Sequence, residues 1–133
     1  LEPYILNNYG NTLDTDETLR YYQLFSDTKL LEDKSLSATA DDDFHMWIVN
    51  ACPNTYFKNS YIAIHNQNLR YRTLSGIRSR EKAADEQTDH LTILSECLKG
   101  NWNEAAEAMR QHILNSKETS FRLLFSQNLG GTL

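Results

Sequence analysis

The chain has 133 residues, 40% of them hydrophobic and 23% charged, which is enough for one domain over residues 1–133 but too little for two. The formal net charge of −5 argues against a domain that itself grips a phosphate backbone, because such a domain needs a clustered basic surface. No apolar run approaches the roughly 18 residues of a membrane span. There is also no charged-then-apolar leader, so we expect a cytoplasmic protein with no membrane partner. The opening Leu1-Glu2-Pro3 does not look like a natural start, and we expect a fragment whose upstream part is missing.

The first part of the chain predicts two helices. A short one covers residues 1–9 and ends at Gly10. The second begins at an N-cap, Asp14 or Thr15, has acidic residues in its first turn, and runs to about residue 32. Its inner side is predicted to carry Leu19, Tyr22, Phe25 and Leu31.

Four further helices are predicted from the turn and capping residues in the rest of the chain. A turn at Pro53-Asn54 closes the third, and Gly100-Asn101 is a good C-terminal signal for the fifth. A polar, basic loop is expected over residues 75–82, and a fraying tail at Gly130-Gly131. The four helices are predicted over residues 36–51, 55–73, 83–99 and 102–125. Because no alternating strand pattern of useful length occurs and the connections are short, we predict an all-α antiparallel bundle.

Ionisable residues lie on the apolar faces of three of these helices. Asp41 and His45 are spaced i and i+4 and so project from one face, while His90 and His112 each share a stripe with core-type residues. His90 lies ten residues before Gly100 and His112 twelve residues after it. In an antiparallel hairpin both therefore lie about 15 to 18 Å from the same turn, at nearly the same level.

Buried ionisable groups are costly unless they are paired or bind a metal. Three imidazoles and one carboxylate suit Zn, Ni, Fe, Mn or Co. Cys52 and Cys97 lie in apolar helical patterns and are expected to be reduced packing residues. No thiolate ligand therefore favours one of these metals over the others. A single histidine on such a stripe is more often a hydrogen-bonded core residue, and a single Asp41 more often a surface carboxylate. From spacing alone, a metal site and a set of core polar residues both remain open.

Other residues are candidates for contacts with a ligand. His65 is predicted to face inward, and three roles are open for it: a substitute metal ligand, a contact for a bound small molecule, or a core residue. Arg72 is the first candidate partner for a carboxylate, since an arginine on an inner stripe needs an anionic partner, although it is also placed to emerge into water near the helix end. Tyr22 and Asn68 are weaker candidates.

A metal site of this kind is compatible with two functions besides the binding of a ligand. One is a helical metalloenzyme that uses metal-activated water; no carboxylate is placed convincingly as its general base, and Glu86, four residues before His90, is the best single candidate. The other is a purely structural metal in a helical interaction module.

The motifs resemble a known family. The string Asp41-Asp42-Asp43-Phe44-His45 with its following turn is similar to the FCD (FadR C-terminal) domain of GntR-family transcriptional regulators, as is the opening Leu1-Glu2-Pro3. So is the pattern H-x-x-I-L-x-x-x-x-x-G-(D/N)-x-x-x-A-x-x-x-M-x-x-H. Its matching positions are His90, Ile93, Leu94, Gly100, Asn101, Ala105, Met109 and His112.

The resemblance implies a bundle of six to seven helices around a central metal and effector cavity. It implies a divalent ion, with Zn or Ni expected in a purified sample, held by Asp41, His45, His90 and His112. It favours a small organic or sugar acid as the effector over a fatty acyl-CoA. It further implies a homodimer that is not an enzyme and that contacts DNA only through a preceding winged helix-turn-helix domain. His65 matches no ligand position of the family.

Overall fold

The computed structural model describes residues 1–75 and 80–116, with side chains described for residues 1–67 and 81–116. Across these ranges the fold is helical and contains no strand, as the sequence predicted. The helices are α1 (Glu2–Tyr9), α2 (Thr15–Ser26), α3 (Lys34–Val49), α4 (Thr55–Ser75), α5 (Arg80–Leu98) and α6 (residues 102–116). No helix within the described ranges is both long and apolar enough to cross a membrane.

Local capping explains where α2 and α3 begin. The Asp14 carboxylate accepts a hydrogen bond from the Asp16 backbone N–H at 2.8 Å, so Asp14 is the N-cap of α2. Asp33 caps α3 in the same way by accepting from the Leu36 N–H at 3.1 Å. The predicted starts are therefore close to those observed.

The second helix is shorter than predicted. It ends at Ser26, and the next residue, Asp27, has an extended backbone with φ −82° and ψ 112°. The Asp27 carboxylate accepts from the Lys29 N–H at 2.9 Å and caps a separate 3-10 turn over Thr28–Glu32. Continuation of the helix to residue 32 was wrong because an aspartate can hydrogen-bond the backbone ahead of it and so compete with the helix.

The predicted inner face of α2 was also wrong in part. Leu19 is 44% exposed, whereas Thr18 and Tyr21 are buried beside the correctly predicted Phe25. The Thr18 hydroxyl donates to the Asp14 carbonyl at 2.8 Å, so its polar atom is satisfied inside the fold. In the first two turns of α2 the inward stripe is thus shifted by one residue from the one that hydrophobicity alone selects.

The turn at Gly100-Asn101 reverses the chain between α5 and α6, as predicted. Gly100 has a φ of +75°, which glycine adopts without strain. The Asn101 N–H donates to the Glu96 carbonyl at 2.9 Å and the Gly100 N–H to the Cys97 carbonyl at 3.0 Å, the pair of bonds that defines a Schellman motif.

Residues 75 and 80–82, which were predicted to lie in a loop, are helical, since α4 extends to Ser75 and α5 begins at Arg80. Lys82 and Ala83 are already buried, so packing extends α5 beyond its apolar pattern. Residues 76–79, the predicted end of the sixth helix beyond residue 116, and the Gly130-Gly131 tail lie outside the described residues.

The core lies between α1, α2, α3, α5 and α6. α2 packs along α5, and α1 packs against α3. Aromatic rings form one side of this core: Phe44 lies 5.4 Å from Phe25 and 5.6 Å from Tyr21 between ring centroids, and Trp47 lies 4.9 Å from Tyr21. The free thiols Cys52 and Cys97 are buried packing residues, as expected.

Candidate metal centre

Four inward-facing side chains converge at one point of the core. Asp41 and His45 lie one turn apart on the buried face of α3, while α5 contributes His90 and α6 contributes His112. Each of the four residues is between 1% and 9% exposed. One ligand atom from each lies within 4.8 Å of those of the others. The helix-face argument from sequence therefore identified four residues that the fold does bring together.

The atoms that face one another inside this cluster are a carboxylate oxygen and three Nε2 nitrogens. Asp41 Oδ1 lies 3.2 Å from His45 Nε2 and 3.0 Å from His90 Nε2. His112 Nε2 lies 3.4 Å from His45 Nε2. Ligand atoms that are each about 2.1 Å from one ion lie roughly 3 to 4 Å from one another. These separations therefore fit a shared divalent cation.

The hydrogen bonding of His90 also fits a metal. The contact from its Nε2 to Asp41 lacks hydrogen-bond geometry, and its Nδ1 has no hydrogen-bond partner within the part of the chain that the structure describes. A buried polar atom without a partner costs about 1 to 3 kcal/mol. A cation bound at Nε2 would satisfy one of the two ring nitrogens, so the residues present fit a metal ion.

Opposite charges and burial set the protonation of the cluster. Burial alone would raise the pKa of Asp41, but the adjacent His45 and His90 outweigh it and hold that pKa well below its usual value. Burial alone would lower the pKa of His45, but the carboxylates of Glu2 and Asp41 raise it well above the usual value. Burial lowers the pKa of His90 to about 4, with Asp41 opposing the shift. Without an ion, the cluster therefore holds a proton on His45 and a neutral ring at His90.

Two carboxylates that the sequence analysis did not select contact this cluster from outside. Glu2 Oε1 lies 2.5 Å from His45 Nδ1, and Asp89 Oδ2 lies 2.9 Å from His112 Nδ1. Glu2 is buried on α1, and Asp89 is next to His90 in the chain. The one sign in the sequence that could have pointed to Glu2 is a glutamate in the first turn of a short helix, a turn that is buried in the fold. For Asp89 the contact depends on how α5 and α6 pack.

His65 does not join the four-residue cluster. Its Nε2 lies 3.6 Å from Asp42 Oδ1, and its ring stacks on Tyr61 with 5.9 Å between centroids. Of the three roles left open for His65, the structure does not support that of a metal ligand, because α4 places this ring beside α3 on Asp42, the residue that follows Asp41 in the chain. Tyr22 is half-buried and packs against the core. The side chains of Arg72 and Asn68 lie outside those described.

Glu86, the general base of the competing enzyme hypothesis, is buried one turn before His90. Its Oε1 accepts a hydrogen bond from the Ser116 hydroxyl at 3.3 Å. It is not among the residues whose ligand atoms converge. The position therefore gives it a packing contact with α6 rather than a place in the cluster.

Comparison with known proteins identifies a family. The chain matches the FCD domain family over residues 14–115, a range that contains all four clustered residues. A similar solved structure is the metal-free FCD domain of TM0439, a proposed transcriptional regulator. It aligns with a TM-score of 0.80 and 18% sequence identity over 94% of this chain and 86% of that one, so the likeness concerns the fold. None of the curated proteins matches the chain.

Proposed function

Because the chain belongs to the FCD domain family, we propose that it is the effector-sensing domain of a bacterial GntR-family transcription factor. The family assignment points to a regulatory domain rather than an enzyme. In this proposal a winged helix-turn-helix domain precedes Leu1 in the full-length protein, which acts in the cytoplasm as a homodimer and contacts DNA through that domain alone. The net charge of −5 agrees with a domain that does not itself bind DNA.

The observation that carries the proposal is the convergence of Asp41, His45, His90 and His112 in the core of an FCD fold. In the proposed site these residues hold a divalent ion, namely Zn, Ni, Mn, Fe or Co, with Zn or Ni expected in a purified sample. Nitrogen and oxygen donors suit all of these ions, and the buried thiols of Cys52 and Cys97 are outside the cluster. A bound ion would supply open coordination positions for an anionic ligand.

The proposed effector is a small organic or sugar acid whose carboxylate binds next to the four ligands in a central cavity. A carboxylate is an oxygen donor of the kind that completes such a coordination shell. Arg72 and Asn68 on α4, together with His65 and Tyr22, are the side chains that we propose for its remaining polar groups. Among the described residues, this role is best supported for His65, because its Nε2 lies 3.6 Å from Oδ1 of Asp42, the residue directly after the proposed ligand Asp41.

Signalling requires that the effector bind two arrangements of the dimer with different affinities, since a ligand with equal affinity for both does not shift the equilibrium between them. We propose that the favoured arrangement sets the spacing of the two DNA-binding domains. That spacing decides their fit to an operator with two half-sites.

A thermal-shift panel of sugar acids and small dicarboxylates tests the proposal. Each acid is added to the protein in metal-loaded form and after chelation. An effector is expected to raise the melting temperature of the loaded form only. Equal shifts with and without metal would show that the ion does not coordinate the effector, and an absence of metal by elemental analysis together with no response to added ions would refute the site.

A further inference from the structure

Two of the clustered histidines share an arrangement that the metal ligands alone do not explain. Both His45 and His112 direct Nε2 toward the cluster, where the two atoms lie 3.4 Å apart. Both direct Nδ1 at a carboxylate on another part of the fold, Glu2 for His45 and Asp89 for His112. The same geometry thus occurs twice, with carboxylates from α1 and α5.

The chemistry of this arrangement decides which ring nitrogen carries a proton. A carboxylate accepts hydrogen bonds and donates none, so the Nδ1 that faces it must carry the hydrogen. The Nε2 lone pair is then available for a cation, and the ring is held in a fixed orientation. With the other tautomer, a hydrogen on Nε2 would point into the cluster and exclude an ion.

Glu2 differs from Asp89 in burial. Glu2 is 4% exposed, whereas the Asp89 side chain is 32% exposed and so partly solvated. A divalent ion held by three neutral imidazoles and Asp41 would leave one positive charge in the core, and a buried charge without compensation is costly. The carboxylate of Glu2 lies close enough to supply the second negative charge.

Glu2 also belongs to a different element from every clustered residue. It lies in the first turn of α1, whose Ile5 and Leu6 are buried in the core and which packs on α3. The contact of Glu2 with His45 therefore joins α1 to the site.

We propose that Glu2, with Asp89 in a secondary role, is a positioning residue for metal binding: it fixes the Nδ1–H form of His45, balances the charge of a divalent ion and couples α1 to the site. This inference rests on the metal centre of the proposed function. It assigns a role to residues outside the ligand set.

The test compares zinc affinity in Glu2→Gln, Asp89→Asn and wild-type protein by competition with a chromophoric chelator at constant pH. Gln keeps the size of Glu2 but has neither its charge nor its restriction to accepting. Outer carboxylates of this kind typically change metal affinity by about 10- to 100-fold, so we expect a loss in that range for Glu2→Gln and a smaller loss for Asp89→Asn. Glu104→Gln is the matched control, because Glu104 is exposed on α6, and it should bind zinc as the wild type does.

Two further readouts separate positioning from a general structural role. Nitrogen NMR of the zinc-loaded protein should show the hydrogen of His45 on Nδ1, and hydrogen exchange in α1 should slow on zinc addition in the wild type but not in Glu2→Gln. Should Glu2→Gln fail to fold without metal, Asp89→Asn decides the question, because its partly exposed side chain allows the change. A wild type that binds no zinc would remove the metal centre itself, whereas wild-type affinity in Glu2→Gln and Asp89→Asn would overturn this inference alone.

Discussion

Replacement of His90 by leucine separates the stability of the core from its proposed affinity for metal. His90 is 1% exposed and packs against the rings of Phe25 and Phe44, at 4.5 and 4.7 Å between centroids. Leucine has a similar volume and no ring nitrogens. His65→Leu is the matched control, because it makes the same chemical change at a half-buried histidine outside the cluster.

The magnitudes follow from burial and from ligand linkage. Removing ring nitrogens that lack hydrogen-bond partners recovers about 1 to 3 kcal/mol, which offsets the lost contact with Asp41 and some loss of packing. We therefore expect the metal-free variant to unfold within about 2 kcal/mol of the metal-free wild type. A free metal concentration 100 times the dissociation constant stabilises the wild type by about 2.7 kcal/mol. For a chain of this length that is a rise of about 10 °C in melting temperature.

The assay is a melting curve of each protein after chelation and after addition of Zn²⁺ or Ni²⁺. The wild type and His65→Leu should both gain about 10 °C, while His90→Leu should gain almost nothing. If His90→Leu kept the full gain, His90 would not be a ligand. If the metal-free variant were destabilised far beyond 2 kcal/mol, the argument that His90 is an unsatisfied polar group in the core would fail.

Three further predictions concern the metal-free protein. Because the pKa of His90 is lowered to about 4 while an unfolded histidine takes up its proton near pH 6.5, stability should fall as the pH drops from about 6.5 toward 4. The raised pKa of His45 stabilises the fold fully below about pH 6.5, and this stabilisation is lost as the pH rises through the pKa that His45 has in the folded state. The urea midpoint should therefore be highest near pH 6.5. Midpoints that rise steadily to pH 9 would contradict this. Gly10→Ala should destabilise the fold by about 1 to 3 kcal/mol, since a Cβ there would overlap the ring of Trp102, and an unchanged denaturation midpoint would refute that close contact. Burial raises the pKa of the Cys97 thiol to about 12, so mass spectrometry should find it unalkylated by iodoacetamide at pH 8 until the protein is unfolded; rapid native labelling would refute its burial.

Much of the fold was predictable because its signals are local. The caps Asp14 and Asp33 act within three residues, and Gly100 adopts a left-handed conformation that its own lack of a side chain permits. The apolar stripes around Asp41 and His90 likewise follow from helical periodicity. These features depend on neighbours in the chain, so the helices and the inward direction of the clustered residues could be inferred before any packing was known.

Where local preferences compete, tertiary packing decided the outcome. The inner face of α2 is set by Tyr21 against Phe44 and Trp47 on α3, which leaves the more apolar Leu19 exposed. His65 has the same stripe character as the other histidines, but the position of α4 puts it on Asp42. Periodicity indicates a buried side for each helix, but packing can shift that side by a residue, as in α2, and the pattern does not identify the residues that the buried side contacts.

For the candidate site, the sequence by itself determined the four residues that share inward faces, because face and level follow from the rise and period of a helix. Only the tertiary structure showed that three Nε2 atoms and one oxygen of Asp41 point at one another. It alone revealed that Glu2, 43 positions before His45 in the chain, lies against its Nδ1. That contact joins two helices whose meeting depends on the packing of the entire core, and no pattern along the chain encodes it.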